Sequence, residues 1–230
     1  MLAISLLTVL DELLADDSGT KNFAGNVKDV DQLLDPANLN RLTKLTPVIA
    51  FLAFHPVTDQ PIADYVRTGV LSADSGPNIL VLFALDQPAS APVPIEADSF
   101  ASWLELDTSS HPSYEIIRLL FDTGVVPPLP GIVFFRAVGD KTDALYVELT
   151  GLKSVNEVQS RLRDVFALAD EVGRKSTPKQ FGDQLGIKLS SRKIPYRRTQ
   201  HVSVREWLIR AFQIANDHLG DIVSVAGLII

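Results

Sequence analysis

Two uninterrupted apolar runs decide what this chain can fold into. Thr46–His55 (TPVIAFLAFH) and Asn78–Leu85 (NILVLFAL) each have the length of a strand, and neither alternates apolar with polar residues. A strand that is apolar on both sides must be covered on both sides, as a parallel strand between two helical layers is. A half-solvated antiparallel sheet would alternate instead. Helix signals fall between and beyond the runs. Asp59 can open a helix through Thr68, with Pro61 in its first turn and Ile62, Tyr65 and Val66 facing inward. Pro112 opens another, with Ile116, Ile117, Leu120 and Phe121 on one face. This alternation predicts an α/β layer structure. Aromatic residues make up only 7% of the chain, so its interior must rest on Val, Leu, Ile and Ala.

The remaining segments are read by the same rules. Leu2, Leu6, Val9, Leu10, Leu13 and Leu14 fall on one face of a helix over residues 2–15. Val30–Leu34 and Asn38–Leu45 read as short helical segments, and Ala101–Asp107 alternates as a strand. Val125–Val138 is a proline-rich turn leading into a strand. Asp140–Asp143 reads as a hairpin turn before the strand Ala144–Leu149. Capping boxes at Ser154–Glu157 and Ser203–Glu206 start two long helices. Between them lie a short helix near Phe181–Leu185 and a basic loop, Lys188–Arg198. The last helix carries Trp207, Leu208, Ala211, Phe212, Ala215 and Leu219 as one apolar stripe. The expected division is a helical extension over residues 1–46, an α/β domain over 47–173 and a basic helical extension over 174–230.

Several kinds of chemistry are excluded outright. The chain has no Cys, which removes disulfides, thiolate metal sites and thiol catalysis, and fits a cytoplasmic setting. None of His55, His111, His201 and His218 stands in an H-x-x-x-H or H-E-x-x-H pair, so no metal site and no cofactor is expected. No phosphate-cradling glycine loop or serine elbow occurs. No run approaches the roughly 18–20 apolar residues that span a bilayer. Net charge is −7, divided as −13 over residues 1–173 and +6 over 174–230. Arg192, Lys193, Arg197 and Arg198 surround Tyr196 in the one basic cluster that holds an aromatic. Such groups could neutralise phosphates, but the acidic body repels nucleic acid, so an acidic protein surface or the chain's own body is the expected partner.

Leu129-Pro130-Gly131-Ile132-Val133-Phe134-Phe135 resembles the turn of the thioredoxin-like superfamily in which a cis proline precedes the fourth strand. The order β-α-β-(loop)-β-α-β-β-α over residues 47–172, the hairpin after it and Gly151 are also similar to that family. A flavodoxin-like or other doubly wound sheet is the alternative. The resemblance implies a central mixed sheet with three parallel strands and an antiparallel edge strand, here with N- and C-terminal helical extensions. It departs where the family's redox members carry Cys-x-x-Cys: that place is taken by Gln87-Pro88-Ala89-Ser90. The expected function is a redox-inactive binding or adaptor module. Its protein-contact surface would comprise Pro88, Ser90, Val93, Ile95 and Pro130, with Arg192, Lys193, Arg197 and Arg198 in reserve. Two other readings stay open. One is a non-thiol enzyme, dependent on glutathione or metal, at the carboxyl edge of the sheet, using His111, Asp107 and Arg118. The other is a homo-oligomeric structural subunit joined through the Trp207/Phe212 helix.

Overall fold

The computed structural model describes residues 2–7, 9, 34–85, 111–121, 125, 127–136, 141–142, 144–199 and 202–226. In chain order the elements are β1 (Leu2–Ser5), α1 (Pro36–Leu45), β2 (Val48–Ala53), α2 (Gln60–Arg67), α3 (Leu71–Asp74), β3 (Ile79–Phe83), α4 (Pro112–Arg118) and β4 (Gly131–Phe135). Then follow β5 (Lys141–Thr142), β6 (Leu145–Glu148), α5 (Val155–Lys175), α6 (Pro178–Ser191), β7 (Tyr196–Arg198), β8 (Val202–Ser203) and α7 (Val204–Ala226). The described residues thus form a mixed α/β structure with seven helices around a six-stranded sheet in the order β1-β3-β2-β4-β6-β7. β1, β3 and β2 are parallel, while β4, β6 and β7 follow as antiparallel neighbours.

The apolar runs sit where their composition requires. Every residue of β2 and of β3 is buried. Their alternating side chains feed two separate cores. Val48, Ala50 and Leu52 join Ile79, Val81 and Phe83 beneath α2, α5 and α6. Ile49 and Phe51 join Leu80 and Leu82 beneath α1, α4 and α7. Three layers result, and the sheet is the middle one.

The N-terminal segment differs from the expected helix. Leu2–Ser5 is a strand lying parallel to β3, with Leu2 opposite Leu80 and Ser5 opposite Phe83. Ser5 Oγ also donates to the Leu85 carbonyl at 2.8 Å. Pairing with β3 satisfies the backbone of a segment whose apolar spacing fits a helix or a buried strand equally well. Helical geometry begins only at Leu6. The sheet therefore draws strands from all three of the expected segments.

Two further expectations in the C-terminal half are corrected. Lys141–Thr142 is not a hairpin turn but a short strand paired with Val202–Ser203. The short helix near Phe181–Leu185 is α6, which starts at Pro178 after a Thr177/Gln180 capping box and runs to Ser191. Leu189 extends the buried stripe of Phe181 and Leu185 by one more turn, so the first residues of the expected basic loop are helical. The rest of that loop supplies β7, and just beyond it Thr199 Oγ1 accepts from the Ala144 amide at 3.0 Å. Ser154 caps α5 through the Glu157 amide, as its capping box predicts, whereas α1 starts at Pro36 rather than Asn38 because Asp35 caps it through the Asn38 amide.

Helix α7 packs on its own sheet. The Trp207 ring stands edge-on to Phe51 at 5.5 Å between centroids, and its Nε1 donates to the Ile116 carbonyl at 3.1 Å. Trp207 and Phe212 are 3% and 4% exposed, so these side chains are not free to join a second subunit. Trp207→Ala should lower stability by about 3–5 kcal/mol through cavity formation, as measured by chemical denaturation. At β4 the constraint is the reverse. A Cβ on Gly131 would lie 2.0 Å from the Tyr146 hydroxyl, because the Tyr146 ring crosses directly over this residue. Gly131→Ala should therefore cost about 1–3 kcal/mol by overcrowding, visible in the same assay.

Candidate functional site

Register places one end of three strands together. Ala53, the last residue of β2, lies opposite Gly131, the first of β4, and Gly131 lies opposite Glu148 at the end of β6. The segment leaving β2, the turn entering β4 and the turn leaving β6 therefore meet at one edge of the sheet. The turn entering β4 contains the Leu129–Pro130 bond, which is cis as expected. The Pro130 carbonyl accepts from the Leu149 amide at 2.9 Å, tying two of these segments together. Gly151, with φ of 82°, makes the bend after Leu149.

The segment leaving β2 is held by His55. Its Nδ1 accepts from the Val57 and Thr58 amides at 3.2 and 3.3 Å, and its own amide donates to Asp59 Oδ2 at 2.8 Å. Asp59 therefore precedes α2 without capping it through its side chain. Burial raises the Asp59 pKa above its ordinary value, partly offset by the His55 amide and imidazole. At the far end of α2, the Tyr65 hydroxyl donates to Asp74 at 2.8 Å. Asp74 also accepts from Gln159 at 2.9 Å and Arg163 at 2.7 Å on α5. That clamp fixes α2 against α5.

Between these parts lies a groove of about 260 Å³. Thr58, Asp59, Pro61 and Ile62 form one wall, and Leu129, Pro130, Leu149 and Leu152, with Thr150 and Gly151 between, form the other. Of the expected binding residues, Pro130 is in this groove, whereas Pro88, Ser90, Val93 and Ile95 lie outside the described residues. The helix start beside Pro130 is instead Thr58-Asp59-Gln60-Pro61. Sequence reasoning missed it because the strand run before it was not assigned as the neighbour of the Pro130 strand.

No family model matches this chain, and neither a curated protein nor a solved structure matches it.

Two members of the basic cluster are held by carboxylates of the chain itself. Arg197 pairs with Glu148 at 2.6 Å and Arg198 with Asp183 at 2.7 Å. Arg192 borders a wider groove of about 630 Å³ along α5, shared with Glu157, Arg161, Asp164 and Glu171. Lys193 occupies the turn between α6 and β7 with φ of 56°. Of the residues named for a carboxyl-edge enzyme, His111 and Arg118 are not brought together. His111 and Arg118 stand at opposite ends of α4, roughly 10 Å apart along the helix axis. Asp107 lies outside the described residues. Among those residues no group of three His, Cys, Asp or Glu is placed to hold a metal ion, and no helix is long and apolar enough to cross a membrane.

His111 is instead part of a histidine stack. Its ring meets His55 at 5.1 Å and His218 at 5.9 Å, both edge-on, and its Nδ1 accepts from the Ser113 amide at 3.3 Å. Burial, then the two neighbouring imidazoles, push its pKa down from 6.5 to about 3. The folded protein holds His111 neutral, while the unfolded chain takes up a proton below pH 6.5. The stabilising contribution is therefore complete above pH 6.5 and is lost as pH falls from 6.5 towards 3. Between pH 7 and pH 5 this single group should cost about 2 kcal/mol of stability. Denaturant titrations at the two pH values should show the loss. They should show much less of it in His111→Asn, which keeps an acceptor for the Ser113 amide.

Proposed function

We propose that this chain is a redox-inactive thioredoxin-like binding or adaptor module that holds an extended protein segment in the Pro130 groove. The observation that carries this reading is the groove itself: a cleft of mixed polar and apolar lining bounded by Pro130 and the first turn of α2, in a chain without a thiol. Support for the fold assignment comes from three parallel strands followed by an antiparallel hairpin, the proline turn before β4, Gly151 and the closing helix α5. The helix start beside the proline reads Thr58-Asp59-Gln60-Pro61, so dithiol exchange has no nucleophile there. Leu129, Pro130, Pro61 and Leu152 are each only partly buried, leaving apolar surface for a partner side chain to cover. Two of the four basic residues of the tail, Arg197 and Arg198, hold internal carboxylates, which favours the groove over the tail. The reading places the module in the cytoplasm, where a chain without Cys requires no oxidising environment.

Random extended peptides displayed against the immobilised protein test the reading. Selected peptides should shift the amide resonances of Ile62, Leu129 and Leu152. They should bind at least about tenfold more weakly to Thr150→Trp, whose bulk at the exposed rim obstructs the groove; that factor corresponds to about 1.4 kcal/mol of lost contact. Selected peptides that bind this variant unchanged would show that the groove is not the contact surface.

A further inference from the structure

Asp59 is the one charged residue among the described residues that line the Pro130 groove. Its carboxylate accepts a hydrogen bond from the His55 amide through Oδ2. None of the described ion pairs involves it. A carboxylate offers about four acceptor positions, so one bond leaves acceptor capacity on a residue that lines the cleft. With only the His55 amide and imidazole beside it among the described residues, the partly buried carboxylate is incompletely compensated, and a charged donor brought in from outside would offset that cost. The start of α2 contributes a positive end equivalent to roughly half an elementary charge. The full negative charge of Asp59 exceeds it, so the cleft repels anions and attracts cations.

The opposite wall supplies the second half of the chemistry. Leu129, Pro130, Leu149 and Leu152 are apolar. Lys and Arg lay their methylene stems along such surfaces while their heads reach a polar partner. We infer that the groove selects segments in which an aliphatic side chain adjoins a lysine or arginine, the aliphatic group filling the Pro130 side and the cation pairing with Asp59. This rests on the reading of the groove as a peptide-contact surface and adds its specificity. It makes Asp59 the residue that discriminates among partners.

Fluorescence anisotropy with labelled hexapeptides can separate the two claims. The peptides share one leucine and differ only beside it, carrying lysine, arginine, norleucine or glutamate, with each set made in both orders. The lysine and arginine peptides should bind about tenfold more tightly than the norleucine peptide, and the glutamate peptide most weakly. Asp59→Asn keeps an oxygen for the His55 amide, so the fold is retained. In this variant the cationic advantage should vanish while norleucine binding stays the same. Equal binding of all four peptides, with resonance shifts at Leu129 and Leu152, overturns the specificity and leaves the groove reading standing. A cationic preference that survives Asp59→Asn also overturns it, since another group would then be responsible. If no peptide binds at all, both claims fall.

Discussion

Everything in this molecule follows from the burial of β2 and β3 on both sides. Their backbone groups pair with neighbouring strands, and their side chains, apolar in both directions, demand a helical layer above and below. The antiparallel addition of β4 to β2 then decides where the site can be. Because Ala53 lies opposite Gly131, the segment leaving one strand must meet the turn entering the other. The groove is thus a product of register. No loop had to be shaped for it separately, and its walls are anchored to the most deeply buried part of the sheet.

Anchoring is reinforced by polar contacts that each join distant pieces of sequence. Asp74 gathers Tyr65 from α2 with Gln159 and Arg163 from α5. Tyr146 crosses over Gly131 and donates its hydroxyl proton to the Pro128 carbonyl, bracing the turn from beneath. His55 ties the segment leaving β2 into a compact bend. A cleft built in this way is largely formed before anything enters it, which reduces the ordering cost of recognition.

Much of this was legible from residue patterns alone. Long apolar runs, proline and Asp starts, and the Ser154 box located β2, β3, α1, α2, α4 and α5, because each signal is local. Pro130 was legible for the same reason. The strand at Leu2–Ser5 was not, since four apolar or small residues carry no period that separates strand from helix. Nor was β7, because Arg197 and Arg198 disguise a strand whose pairing depends on β6, roughly fifty residues earlier. Asp59 was seen only as the start of a helix. Its position beside Pro130 is set by pairing between strands distant in sequence, and no local signal reports that. The charge asymmetry was partly an internal matter: Lys188 and Arg197 reach back to Glu171 and Glu148 on the acidic body.

Among the described residues the sheet ends on one side at β7, only three residues long and bearing two half-exposed arginines. An unguarded border of this kind offers free amides and carbonyls to any passing chain and invites fibre growth. Here the border is brief and carries two ion-paired arginines. Its two arginines are held by Glu148 and Asp183, so a chain adding to this border would have to fit around two ion pairs along a run of only three residues.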